Sequence, residues 1–181
     1  MIAHSKPWIT EEDTSAVLRQ IQSNNIAAGA KVEEFAALLK GYFSTEHIFL
    51  TTNGSNAIYI ALLALGIKAG DEVILPAYVC RNVLDAILHC GATPVLCDIG
   101  NYWTMETENV AGLITKKTKA IIIVHSLGIA IDVKLFRKFD LPIIEDCCQC
   151  FSNKVGDLQP GSDGDISVYS FNATKCLTTG E

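Results

Sequence analysis

Ala120-Ile121-Ile122-Ile123-Val124, running into His125, decides the fold. Its residues are apolar at successive positions rather than alternating. A strand buried on only one face alternates; a strand buried on both faces reads as a continuous apolar run, and such strands belong to parallel sheets covered by helices. Working outward, strand candidates with the same character lie at His47–Thr51, Glu72–Leu75, Thr93–Cys97, Pro142–Glu145 and Ser167–Phe171. Amphipathic stretches at Ser55–Leu65, Val79–Cys90, Thr107–Leu113 and Val133–Phe139 separate them. Alternating strands and helices joined by short linkers predict an α/β fold: three αβα layers around a mostly parallel sheet.

Ahead of this pattern, Thr10-Glu11-Glu12-Asp13 caps and charges a helix carrying Ala16, Val17, Leu18 and Ile21. Gly29 marks a turn, and a second helix from about Lys31 places Val32, Phe35, Ala36, Leu39 and Phe43 at helical spacing. The expected organisation is an N-terminal helical segment, 1–45, followed by an α/β domain, 46–181.

The chain has 181 residues, enough for one domain, and its 49% hydrophobic content rules out a disordered tract. Fourteen basic residues against twenty acidic ones give a net charge of −6, with no basic stripe for nucleic acid or for an anionic membrane surface. The first residues, Met1 to Trp8, lack the apolar core of a secretory signal, and no apolar stretch approaches the ~20 residues that span a bilayer. A soluble, cytoplasmic protein with reduced thiols is expected. Of seven cysteines, Cys147, Cys148 and Cys150 cluster, with Cys176 further on. Only Cys147 and Cys150 have zinc-type spacing and no second such pair exists, so buried core thiols are expected rather than a metal.

In an open α/β sheet the ligand sits at the carboxyl ends of the strands. Gly54-Ser55-Asn56 opens a helix directly after a strand candidate, which suits a phosphate and equally suits an ordinary helix cap. Asp146 ends the run Pro142-Ile143-Ile144-Glu145; a carboxylate there pairs with a cation, such as a protonated heteroaromatic nitrogen or Mg²⁺, or caps the next turn. Lys175 follows the last strand candidate, where partial burial would make its amine a usable nucleophile. Phosphate cup, buried carboxylate and rim lysine together are the parts that hold pyridoxal phosphate. A nucleotide-binding domain is the weaker alternative, because neither Gly-x-Gly-x-x-Gly nor Gly-x4-Gly-Lys-Ser/Thr occurs.

Longer motifs sharpen this. Gly54-Ser55-Asn56-Ala57, Ala64 to Ala77, Gly91-Ala92-Thr93-Pro94-Val95, Ile144-Glu145-Asp146-Cys147-Cys148-Gln149 and Tyr169-Ser170-Phe171-Asn172-Ala173-Thr174-Lys175 through Glu181 resemble the DegT/StrS-type sugar aminotransferases of PLP fold type I. The resemblance implies that Lys175 carries pyridoxal 5'-phosphate as a Schiff base and that Asp146 pairs with its ring nitrogen. It also implies that Gln149 contacts the ring-hydroxyl side, and that Gly54, Ser55, Asn56 and Ser170 hold the phosphate. His125, with Gly128, occupies the family's His-x-x-Gly position, where a turn histidine satisfied by backbone is an equal reading. The family's stacking aromatic is replaced by Cys80, with Tyr78 as a substitute, and the family's Asp-Ala-Ala-Gln-Ala reads Asp146-Cys147-Cys148-Gln149-Cys150.

The implied reaction moves an amino group from glutamate or glutamine to a keto-sugar nucleotide. Relatives that dehydrate carry histidine in place of the lysine. A homodimer is implied as well. Family members continue past Gly180-Glu181 into the rest of the large domain and a smaller C-terminal domain, so the chain is expected to be the front part of such an enzyme. A catalytically incomplete module for cofactor binding or assembly is the alternative.

Overall fold

The computed structural model describes residues 5–152 and 154–180. Met1–His4 and Glu181, which belong to the amino-terminal reading and the last quoted motif, lie outside the described residues. The chain divides into two compact units, Met1–Leu50 and Thr51–Glu181.

The first unit holds two helices, α1 (Glu11–Gln22) and α2 (Ala30–Phe43). At the start of α1, Thr10 and Asp13 form a reciprocal capping box: the Asp13 N–H donates to Thr10 Oγ1 at 3.2 Å, and the Thr10 N–H donates to Asp13 Oδ2 at 2.8 Å. The Thr10 N–H and the Thr10 hydroxyl, both donating to Asp13 Oδ2, hold the Asp13 carboxyl below its usual range. Ser44, in the left-handed conformation, ends α2 and returns its N–H to the Lys40 carbonyl.

In the second unit five strands form one parallel sheet, β1 (Glu72–Pro76), β2 (Thr93–Cys97), β3 (Thr118–Val124), β4 (Ile143–Asp146) and β5 (Ile166–Val168), in the order β2-β1-β3-β4-β5. Three helices accompany them: α3 (Gly54–Ala64), α4 (Arg81–His89) and α5 (Thr107–Ala111). The alternation of each strand sorts its side chains between two cores. Val73, Leu75, Ala120, Ile122, Val124 and Ile144 pack with Ile58, Leu62, Val83 and Ile87 of α3 and α4. Ile74, Ile121, Ile123 and Ile143 pack with Val110 of α5 and with Val133 and Phe136 of a 3₁₀ segment, Val133–Phe139. The sheet is therefore covered on both faces, which is why Ile121 to Val124 had to be apolar without a break.

One expectation is corrected. His47–Thr51 forms no strand: the ladder from β2 to β5 offers it no partner among the described residues, and an extended segment becomes a strand only by pairing its N–H and C=O groups. Val133–Phe139 has helical patterning as expected but winds as 3₁₀, between a cap in which Asp132 accepts from the Lys134 N–H at 3.1 Å and a left-handed Asp140.

Candidate active site

The strand order reverses at β1, which pairs with β2 on one side and β3 on the other. A crevice at the carboxyl ends of the strands is the usual ligand position in such sheets. Each expected site residue of the second unit can be placed relative to that rim.

Asp146 ends β4 and is 4% exposed. It lies two residues past Ile144, so its side chain shares the face that packs on α3 and α4. Its Oδ1 accepts the Cys148 N–H at 3.0 Å, turning the chain so that the Cys148 sulfur comes back beside it. Gly54, the first residue of α3, meets that sulfur directly. A Cβ on Gly54 would stand 3.2 Å from Cys148 Sγ and 3.6 Å from Ser170 Cβ, so glycine is what lets the three segments close on one another.

Lys175 joins the same group. Burial, the Asp146 carboxylate and its hydrogen bond push the Cys148 thiol up; the Lys175 ammonium pulls it back, and Cys80 adds a further push. One sulfur thus senses Asp146, Lys175 and Cys80 together, although these residues lie up to 95 positions apart in sequence (175 − 80). The loop carrying Lys175 is organised from within. Asn172 Oδ1 accepts from the Thr174 N–H and hydroxyl at 3.1 and 3.0 Å, and its carbonyl accepts the Lys175 N–H at 2.9 Å. Phe171 C=O accepts the Thr179 N–H at 3.0 Å, folding the loop back on itself.

At the start of α3, Asn53 caps by accepting the Asn56 N–H at 2.9 Å, and Asn56 Nδ2 donates to Thr52 Oγ1 at 2.7 Å. Asn56 is thus partly committed to its own helix end. The backbone amides of Gly54 and Ser55 and the Ser55 hydroxyl are the donors that the first turn presents to an anion. Across from them, Ser170 Oγ accepts from the Asn172 N–H at 3.5 Å, leaving its proton to donate.

Gln149 is exposed, and its Oε1 accepts the Leu127 N–H at 2.8 Å, bracing the turn in which Leu127 takes a left-handed conformation. Cys80 is exposed at the N-cap of α4. Tyr78 packs edge-on against Trp103, ring centroids 4.9 Å apart, so the aromatic near Cys80 is engaged with β2's exit loop.

His125 is wholly buried and both ring nitrogens are engaged. Nδ1 accepts the Ile131 N–H at 3.1 Å, so the ring proton sits on Nε2 and is given to Glu145 Oε2 at 2.9 Å. Glu145 also accepts from the Gly161, Asp163 and Gly164 N–H groups. Burial alone would raise its carboxyl, but the bonds from His125, Gly161 and Gly164 outweigh it and hold the group below its ordinary value. Of this buried hub, His125 was singled out from the sequence as a candidate cofactor-binding residue, and Glu145 was not. Its signal was a glutamate inside an otherwise apolar strand, which has to find donors.

His125, Glu145 and Cys147 bring one ligand atom each within 4.8 Å of one another. The Glu145 oxygens and His125 nitrogens are already filled, and burial pushes the Cys147 thiol upward, so a cation would have to displace four donors. The Cys147 and Cys150 sulfurs are buried core thiols.

Comparison with known proteins then places the chain. The family model for the DegT/DnrJ/EryC1/StrS aminotransferase family matches residues 7–181. The chain belongs to that family. GDP-perosamine synthase of Escherichia coli O157:H7 is 36% identical over 182 residues, covering 97% of this chain and 50% of the relative. A candidate L-glutamine:3-amino-2,3-dideoxy-scyllo-inosose aminotransferase of Streptoalloteichus tenebrarius is 32% identical, covering 97% and 44%. A candidate sugar aminotransferase of Streptococcus pneumoniae, solved in its PLP form, superposes with a TM-score of 0.93 at 31% identity, covering 99% of this chain and 51% of that one. The chain spans about half the length of the curated relatives it matches. The αβα fold with its parallel sheet is the fold of these aminotransferases.

Proposed function

We propose that this chain is the cofactor-binding part of a PLP-dependent sugar aminotransferase. The observation that carries the reading is the convergence of Gly54, Cys148, Ser170, Asp146 and Lys175 on one rim. The residues fit the group: an amine for covalent attachment, a buried carboxylate for a protonated ring nitrogen, and a glycine-opened helix start for a phosphate. When bound, pyridoxal phosphate supplies an electron sink that allows an amino group to leave one carbon and be placed on another.

The chain's own groups divide the remaining work. Lys175 Nζ would hold the cofactor covalently and would serve as the general base that moves the proton between the two carbons. Asp146 keeps the ring nitrogen protonated from within the sheet, where little water competes for it. Gly54 and Ser55, with Asn56 and Ser170, bind phosphate. Gln149, its Oε1 committed to Leu127, offers Nε2 to the ring-hydroxyl side. Cys80, exposed at the start of α4, would be the side chain to lie against the ring, Tyr78 being engaged with Trp103. His125 acts from behind, through Glu145.

Glutamine or glutamate is the donor and a keto-sugar nucleotide the acceptor, by analogy with the relatives named above. In keeping with the family, we place the protein in the cytoplasm as a homodimer; none of the described helices is long and apolar enough to cross a membrane. The test is spectroscopic. With added pyridoxal phosphate the protein develops a visible absorption band, and glutamate or glutamine converts it to the shorter-wavelength pyridoxamine form. A band without conversion assigns the 181-residue chain to cofactor binding or assembly alone; no band overturns the reading.

A further inference from the structure

Asp146 and Glu145 are adjacent on β4 and point to opposite faces of the sheet. Asp146 faces α3 and the candidate cofactor site. Glu145 faces the layer of Ile143 and Phe136 and is 0% exposed. Beyond receiving His125 it has no part in the proposed chemistry, yet burying a carboxylate is costly unless its oxygens are filled. Here they are filled from two directions.

From one side, Oε2 accepts the Gly161 N–H at 2.7 Å, and Oε1 accepts the Asp163 N–H at 2.9 Å and the Gly164 N–H. The turn fits the carboxylate closely: a Cβ on Gly164 would stand 2.8 Å from Glu145 Cγ. From the other side His125 donates through Nε2, while its own backbone N–H reaches the Asp146 carbonyl at 3.1 Å. Glu145 is thus bonded to the end of β3 and to the turn that feeds β5.

That turn runs straight into the site. Asp165 N–H donates to the Ile143 carbonyl at 2.8 Å, β5 begins at Ile166, and the Ser167 hydroxyl returns to the Gly161 carbonyl at 2.7 Å. Two residues beyond β5 stands Ser170, and the loop after it carries Lys175. Cys147 N–H, one residue past Asp146, donates to the Val168 carbonyl at 2.8 Å. The two groups that must keep a fixed separation, Asp146 on β4 and Ser170 beyond β5, are therefore joined by a short path whose bend is held by one carboxylate.

We propose that Glu145 is a positioning residue: by holding the Gly161–Gly164 turn and His125 from behind the sheet, it sets Ser170 and the Lys175 loop against Asp146. The proposal rests on the reading of the site as a pyridoxal phosphate site for its functional consequence, while the positioning itself is a property of the chain. Glutamine at this position keeps the shape but turns an N–H₂ group toward donors, so it fills at most one side of the hub.

The test uses the full chain carrying Glu145→Gln, with Glu145→Asp as a milder variant should the first fail to fold, and Phe136→Leu as a control in the same layer. Residue-resolved amide hydrogen exchange follows Gly161, Asp163 and Gly164, the loop amides Ala173, Lys175 and Thr179, and Ile121 as a reference in the sheet. Spectral titration gives the affinity for pyridoxal phosphate. For the Glu145 variants exchange rises about tenfold or more both at the turn and at the loop, Ile121 stays protected, and cofactor affinity falls about tenfold. For Phe136→Leu, exchange rises around its packing partners and affinity stays within about twofold.

The proposal is overturned if the turn loosens while the loop amides and the affinity stay within about twofold of the parent. It is equally overturned if Phe136→Leu weakens the cofactor as much as the Glu145 variants do. Should the parent chain take up no pyridoxal phosphate, the functional reading fails by itself, and loop exchange alone then decides the positioning.

Discussion

Thiol chemistry offers a direct map of the site, because the seven cysteines sample every depth of the fold. Cys80 and Cys176 are exposed, Cys90 and Cys148 half-buried, and Cys97, Cys147 and Cys150 buried. Only the thiolate attacks a disulfide reagent, so acidity and access act together. Burial, with the neighbouring Asp98 carboxylate, pushes the Cys97 thiol from an ordinary 9.0 up to about 11. Near pH 8 that rise thins its thiolate roughly a hundredfold, and the more basic thiolate regains about tenfold in intrinsic nucleophilicity. A reaction about tenfold slower remains before the opening needed to expose the sulfur is counted. Cys147 is pushed higher still, by burial and then by the Glu145 and Asp146 carboxylates.

Ellman's reagent added to the native protein should therefore show two fast thiols out of seven, with all seven reacting in denaturant. Cys80→Ser removes one fast equivalent and Cys176→Ser the other. Pyridoxal phosphate added first should slow the Cys80 phase, if that thiol is covered by the cofactor ring as proposed. Fast labelling of Cys147 or Cys150 in the native chain, read by peptide mapping, would refute the burial assigned to those two thiols. A Cys80 phase indifferent to the cofactor would refute its place in the site.

The Glu145 carboxyl, held low in the folded chain against an ordinary value of 4.5, stabilises fully above that value. This contribution is lost as pH falls through the lower folded value, so melting temperature should drop more steeply below about pH 4.5 in the parent than in Glu145→Gln; parallel acid profiles would count against the hub. Phe136, 1% exposed beneath the sheet, should cost about 3–5 kcal/mol when replaced by alanine, measured by urea unfolding. A loss under about 1 kcal/mol would mean that the second core is not packed as described.

Most of the second unit could be read from its sequence because burial on both faces leaves an unambiguous pattern, as at Ile121 to Val124. His47–Thr51 has the composition of a strand without the pairing, and composition carries no information about a partner. The 3₁₀ winding of Val133–Phe139 escaped for a related reason: its apolar spacing is equally that of an α-helix, and spacing does not report which carbonyl each N–H reaches. Within the site, the motif around Asp146 and the lysine motif were legible as chemistry. Their meeting at Cys148 and Gly54 was not, since it depends on how α3, β4 and β5 close. The Glu145 hub draws on partners 16 to 20 residues away, and a glutamate in a strand announces only that donors exist somewhere.

The central claim is that Lys175 is the amine that takes the cofactor. Incubating the protein with pyridoxal phosphate, reducing with borohydride and mapping the peptides by mass tests it most directly. The account predicts one stoichiometric adduct, on the peptide containing Lys175, and its loss together with the visible band in Lys175→Ala. An adduct spread over the exposed lysines, or one that survives Lys175→Ala undiminished, would contradict it.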